Sequence, residues 1–281
     1  MNIRHSPLLQ IQRDLHEKPR TMKRFYEYLR TIFGGDVTET NDTPQLVPLI
    51  AMNPMGRAHV NEWLDQLLAL YCGCAENRSL PRAVSQAINS GFHAEQRIGA
   101  EEIAADAVAE AQERLSPLFA EYPREYQHGL VIIDDLGGAW SNRFVLETGR
   151  FAAVKLDKYQ WFSSGIIVSD EPTATRVRQN VLSGIYRTLY LDRYGAPKTL
   201  RQMLVQEGQT GGFAGIAPPL DADDLAYSRE IIQPYLDADH YPTCMAAMLG
   251  DEAARTLGYQ PLGLSPYAGI AVAIADFAMG I

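Results

Sequence analysis

Leu130-Val131-Ile132-Ile133-Asp134-Asp135-Leu136-Gly137-Gly138 is the stretch on which the fold turns. Four consecutive apolar residues ending in carboxylates and glycines predict a short buried strand that runs into a glycine turn. Just downstream, 144–147 and 150–155 flank Thr148-Gly149 with the spacing of a hairpin, and 165–168 reads as a further strand.

On either side of this β-segment the period changes to that of helices. Met22, Phe25, Leu29 and Ile32 recur at helical spacing after Thr21, with Gly34-Gly35 as the stop. Val60, Trp63, Leu64, Leu67, Leu68 and Tyr71 form one side of a second helix after Asn53-Pro54. An alanine-rich helix from about 99 to 115 carries Ile103, Ala104, Ala107, Val108, Ala111 and Leu115, small residues that permit close helix packing. After the strands, Asp170 reads as an N-cap and Pro172 as first-turn residue of a helix whose stripe is Ala174, Val177, Val181, Ile185 and Leu189. Further helices are expected at 199–207, 222–236 and 242–257, with a last one capped by Ser265-Pro266. The glycines and prolines of 208–219 read as a loop, and Gln209-Thr210-Gly211-Gly212-Phe213-Ala214-Gly215 resembles an anion cradle without its lysine.

Helices, then strands, then helices is the order of an α+β fold rather than of a strictly alternating doubly wound sheet. The expectation is a mainly helical α+β protein, its helices around a small central antiparallel or mixed sheet. It is read as one compact domain over 1–281, with sub-lobes at 1–125 (helical) and 126–281 (strand-containing plus helical) and their boundary near 123–128.

A chain of 281 residues with 46% hydrophobic and 21% charged residues can bury a sizeable core. Its net charge of −9 and scattered basic residues argue against nucleic acid as a partner, since phosphate binding needs concentrated positive charge. Leu8-Leu9-Gln10-Ile11-Gln12-Arg13-Asp14 supplies no apolar core of a secretory signal. The apolar stretch 267–281 is shorter than the roughly 20 residues of a membrane span, so it reads as a buried helix whose Asp276 needs a partner or a solvent edge. Three cysteines, Cys72, Cys74 and Cys244, cannot all pair within the chain. A cytoplasmic location without a membrane partner is therefore expected.

Chemistry is sought where the strand ends. Asp134 and Asp135, leaving a buried strand, are the candidate catalytic carboxylates, able to act as acid and base or to hold a divalent cation. Gly137 and Gly138 let a ligand approach backbone N–H groups, Trp140 offers a stacking face, Asn142 adds a polar contact, and Arg143 can pair with an anion. The same residues also fit a plain turn, with Arg143 neutralising Asp134 or Asp135. Cys72, Cys74, His240 and Cys244 form a soft-ligand set, but C-x-C is not the usual zinc spacing and Pro242 interrupts the second half, so no metal site is expected. His59 with Glu62 and His93 with Glu95 read as solvated polar pairs. The function expected is an enzyme acting on a small polar or anionic substrate through 134–143. The alternative is a non-catalytic helical module that self-assembles into a homo-oligomer or meets a partner.

Overall fold

The computed structural model describes residues 2–9, 98–117, 125–133, 135, 143–154, 156 and 161–280. The helices expected at 22–32 and 53–71 lie outside these residues. So do Cys72, Cys74, His59, Glu62, His93 and Glu95.

Among the described residues three strands, β1 (Asn2–Ser6), β2 (Glu125–Ile133) and β3 (Trp161–Ile167), form one sheet in the order β1-β2-β3. Leu130 to Ile132 are buried within β2, as the apolar run requires. Both pairings are parallel, His5 opposite His128 and Leu130 opposite Ser164. The expected antiparallel or mixed sheet is therefore corrected to an all-parallel one. The hairpin that motivated it does not exist: Arg143–Thr148 is helix α2, and Gly149–Phe151 continues it as a 3₁₀ turn that buries Phe151. Adjacent strands joined by a tight turn must be antiparallel, whereas these strands come from distant segments joined by crossovers and can run parallel. Glu125 to His128, read as a lobe boundary, form the first half of β2.

The described residues group into two compact units, one within Met1–Leu146 and Leu156–Ile185, the other within Glu147–Lys155 and Tyr186–Ile281. In the first, α1 (Ala100–Leu115) buries Ala104, Ala107, Val108, Ala111 and Leu115, the stripe expected of it except for Ile103. Its Gln112 accepts the Ile3 N–H at 2.8 Å, tying it to β1. Glu110 on α1 takes a bidentate pair from Arg178 on α3 (Ala174–Tyr194) at 2.6 and 2.8 Å. Burial pushes the Glu110 carboxyl up, but Arg178 and Arg114 outweigh it and hold the group below its usual range. The α3 cap is Thr173, whose hydroxyl accepts the Arg176 N–H at 3.2 Å, so the cap expected at Asp170 is moved.

In the second unit α4 (Leu200–Ala214) packs on α8 (Ala268–Met279), with α5 (Ala222–Ile232) against α8 and α6 (Tyr241–Leu249) against both. The expected loop at 208–219 is thus helical as far as Ala214. Its glycines serve close approach: a Cβ at Gly208 would stand 2.6 Å from the Ala273 carbonyl oxygen. The helix expected at 242–257 breaks at Gly250, where φ is 85° and a Cβ would meet the Ser265 carbonyl at 2.2 Å, and resumes as α7 (Asp251–Thr256). Ala268 to Ala275 of α8 are buried, and Asp276 pairs with Arg229 of α5 at 2.7 Å. The last turn departs from the all-round burial expected, with Phe277 47% and Met279 57% exposed. Among the described residues no helix is long and apolar enough to cross a membrane.

Candidate functional site

Parallel strands deliver their carboxy-terminal ends to one edge, which is where sheets of this kind bind ligands. β2 and β3 leave the sheet together at the paired residues Ile133 and Ile167. One more backbone bond follows, from Val168 N–H to the Ile133 carbonyl at 3.0 Å, and Asp170 N–H then closes a turn onto Ile167 O at 3.0 Å.

Onto this turn converge side chains from three segments. Asp135 accepts the Ser169 N–H at 3.1 Å with one oxygen and the Ser169 hydroxyl at 2.5 Å with the other. Arg143, the first residue of α2, donates to the same Ser169 hydroxyl oxygen at 3.0 Å and to Asp170 at 2.8 Å. Arg176, in the first turn of α3, pairs with the second oxygen of Asp170 at 3.0 Å. Asp170 is thereby a partner of two guanidiniums instead of a helix cap.

Of the residues expected at this site, the structure brings Asp135 and Arg143 together through Ser169. Asp134, Gly137, Gly138, Trp140 and Asn142 lie outside the described residues. Both oxygens of Asp135 and both of Asp170 accept from protein donors. The guanidiniums, with 28% (Arg143) and 42% (Arg176) of their side chains exposed, suit an anion, which their planar forks recognise by paired hydrogen bonds.

Two polar clusters had no signal in the sequence. On the buried face of the sheet His128 lies between His5, whose Nδ1 is 3.0 Å from its own, and Ser164, whose hydroxyl is 3.0 Å from Nε2; His5 Nε2 reaches Glu101 of α1 at 2.6 Å. Burial, and secondarily His5, hold the His128 imidazole down at about 3, so the ring is neutral. In the second unit Glu207, on α4, lies between Arg150 and Arg187, each at 2.8 Å, and Arg150 also pairs with Glu147. Burial would raise the Glu207 carboxyl, but the two guanidiniums overcome it and hold the group at about 2. Apart from the neighbours Glu147 and Arg150, the paired residues are between 20 and 123 positions apart in sequence and meet only through strand register or helix packing.

The remaining half of the soft-ligand set is engaged locally. His240 Nδ1 lies 3.0 Å from the Thr243 hydroxyl, and the buried Cys244 thiol donates to the Ala238 carbonyl at 3.3 Å. Burial, then the nearby Asp239, raise the thiol above its ordinary range, which disfavours the thiolate a metal binds. Among the described residues no group of three or more His, Cys, Asp or Glu side chains is placed to hold a metal ion.

No family model and no solved structure matches the chain. Over 96 residues it is 32% identical to the uncharacterized protein YjfC of Bacillus subtilis (strain 168), a stretch that makes up 31% of this chain and 32% of that protein. The chain therefore spans about a third of the length of the curated relative it matches.

Proposed function

We propose that this chain is a cytoplasmic enzyme acting on a small anionic substrate at the carboxy-terminal edge of its parallel sheet. Arg143 and Arg176 hold the anion and Asp135 moves the proton; Asp134, Gly137, Gly138, Trp140 and Asn142 are assigned to the same site on the sequence alone. The convergence of Asp135 and Arg143 on the Ser169–Asp170 turn carries this reading. A carboxylate 2.5 Å from a hydroxyl, with a guanidinium on the same oxygen, has the geometry of a base poised to take a proton whose loss the cation would stabilise. Cysteine usage and the buried free Cys244 support the cytoplasmic placement.

The test is a thermal-shift screen of small carboxylates and phosphate esters on the full chain, followed by titration of the best anion into folded Arg143→Gln and Asp135→Asn proteins. Arg143→Gln is expected to weaken binding at least tenfold, on the scale of about 1.5–3 kcal/mol for a hydrogen bond to a charged group. Asp135→Asn is expected to keep the fold and abolish turnover. Undiminished anion binding by folded Arg143→Gln would remove the site assignment.

A second reading, self-association, is favoured by the exposure of Tyr194 (65%), Phe277 and Met279 in the second unit. Sedimentation velocity of the full chain beside Phe277→Glu separates the two: only self-association changes with that substitution.

A further inference from the structure

The turn after β3 presents one hydroxyl, that of Ser169, between a base and a cation. It donates its proton to Asp135 Oδ2 at 2.5 Å, and its oxygen accepts from Arg143 Nη1 at 3.0 Å. A hydroxyl oxygen has two lone pairs, and among the described residues Arg143 takes one of them, so the second is left for bond formation. Ser169 is exposed and Asp135 partly so, which lets a reacting molecule reach that oxygen from water.

The surrounding donors decide which group the oxygen can attack. An acyl group bonded to Ser169 would develop an oxyanion that backbone N–H groups have to meet. The turn has none to offer: the Val168 N–H is spent on the Ile133 carbonyl, that of Ser169 on Asp135 and that of Asp170 on the Ile167 carbonyl. Negative charge is met here by guanidiniums. Asp170 holds Arg143 with one oxygen at 2.8 Å and Arg176 with the other at 3.0 Å, which fixes both cations at the turn. Such planar, many-donor groups match the several oxygens of a phosphoryl group. The charge balance favours the same chemistry. Asp135 and Asp170 offset Arg143 and Arg176, but once Asp135 holds the serine proton the four groups carry a net positive charge, at the moment the phosphoryl group arrives.

We infer that Ser169 is the nucleophile of a phosphoryl transfer from a phosphate monoester, a reaction that passes through a phosphoserine. This rests on the anion-binding reading of the sheet edge and specifies its substrate. Ser169 Oγ bonds to phosphorus while the bond from phosphorus to the ester oxygen breaks, and the Oγ proton goes to Asp135. Asp135 passes that proton to the departing oxygen or to water. A water oxygen then attacks phosphorus, giving its proton to Asp135, as the bond from phosphorus to Oγ breaks. Ser169 takes the proton back from Asp135. The net change is hydrolysis of the ester to an alcohol and phosphate, with no oxidation or reduction.

The test is rapid-quench kinetics of the full chain with p-nitrophenyl phosphate, whose leaving group departs without a proton. A burst of p-nitrophenolate stoichiometric with the chain is expected, and acid-quenched protein should carry a phosphoryl group that tandem mass spectrometry places on Ser169. Asp135→Asn should slow the burst by about a hundredfold or more. Ser169→Ala, its fold checked by circular dichroism, should lose both burst and label; persistence of either overturns the proposal. If that variant does not fold, the position of the label in the wild-type chain decides, and a label on another residue overturns the proposal. Where phosphoserine breaks down faster than the quench, the configuration at phosphorus of an isotopically chiral ester decides instead: net retention reports two displacements, while inversion reports direct attack by water and overturns the proposal. Thermal shift with inorganic phosphate reads the anion site by itself. A chain that binds phosphate yet does not turn the ester over removes the nucleophile and leaves the anion site standing, whereas a chain that binds neither phosphate nor the ester removes both.

Discussion

At the scale of single residues, the tightest anchoring belongs to carboxylates that hold loops. Asp251 accepts three consecutive backbone N–H groups with one oxygen, from Leu262 at 3.0 Å, Gly263 at 2.9 Å and Leu264 at 3.0 Å. Partial burial pushes its carboxyl up, but these three donors, joined by Arg255, outweigh it and hold the group below the usual aspartate range. Asp251→Ala leaves three donors without that acceptor, and since water reaches part of the loop the expected cost is about 2 kcal/mol, measured by urea unfolding. A loss within a few tenths of a kcal/mol would mean that the loop is held by its apolar residues instead. Asp135 performs the same kind of service for the Ser169 turn, which is the plain-turn reading that the sequence also allows. Arg143, read as neutralising Asp134 or Asp135, pairs with Asp170 and meets Asp135 through the Ser169 hydroxyl. The contact between His5 and His128 has no such signal: they are 123 positions apart, and nothing but parallel register makes them neighbours.

Among elements, the crossing of α4 and α8 shows how the same residue type can carry opposite consequences on one helix. Gly208→Ala would drive a Cβ to 2.6 Å from a backbone oxygen, that of Ala273, which cannot step aside without moving α8. The gain of about 1 kcal/mol in helix propensity is then exceeded by an overpacking cost of about 1–3 kcal/mol, and the melting temperature should fall. The nearest atoms that Gly212→Ala meets belong to the ring of Phe277, a side chain already half exposed and able to rotate outward. Here the propensity gain should survive, leaving the melting temperature unchanged or raised. Equal losses in the two variants would show that the crossing does not depend on close backbone approach at Gly208. This crossing also explains a misreading of the sequence, since glycine marks a loop when nothing is known of the neighbour and a contact surface once the neighbour is there. Of the expected stripe, Val177, Val181, Ile185 and Leu189 are buried because a helix's own period reports its buried side, whereas Ala174, in the first turn, is exposed. The hairpin at Thr148-Gly149 does not form, because local strand propensity in Phe144, Val145 and Leu146 yields to helical geometry that runs on into a 3₁₀ turn in which the Ala152 N–H bonds back to the Gly149 carbonyl at 3.0 Å.

For the whole molecule, the two compact units contain buried polar groups that titrate in different ranges, and this sets an order of events on acidification. In the first unit His128 is held at about 3 against an ordinary 6.5. The unfolded chain therefore binds a proton there that the folded chain refuses, and stability falls as pH drops below 6.5 until about 3 is reached. In the second unit Glu207 is held at about 2 against an ordinary 4.5, so its contribution is complete above 4.5 and is lost as pH falls from there towards 2. Both signs agree that acid destabilises, but the first unit begins to lose stability at the higher pH. Hydrogen exchange followed by mass spectrometry on the full chain between pH 7 and pH 3, corrected for the intrinsic exchange rate, reads this directly. Amides of β2 are expected to lose protection at a higher pH than those of α4. Glu207→Gln supplies the internal control: a neutral side chain between Arg150 and Arg187 should lower the protection of α4 at neutral pH and flatten its acid dependence, while leaving the β2 profile in place. Loss of protection in α4 before β2, or together with it, would show that these two groups do not govern the acid limits of their units.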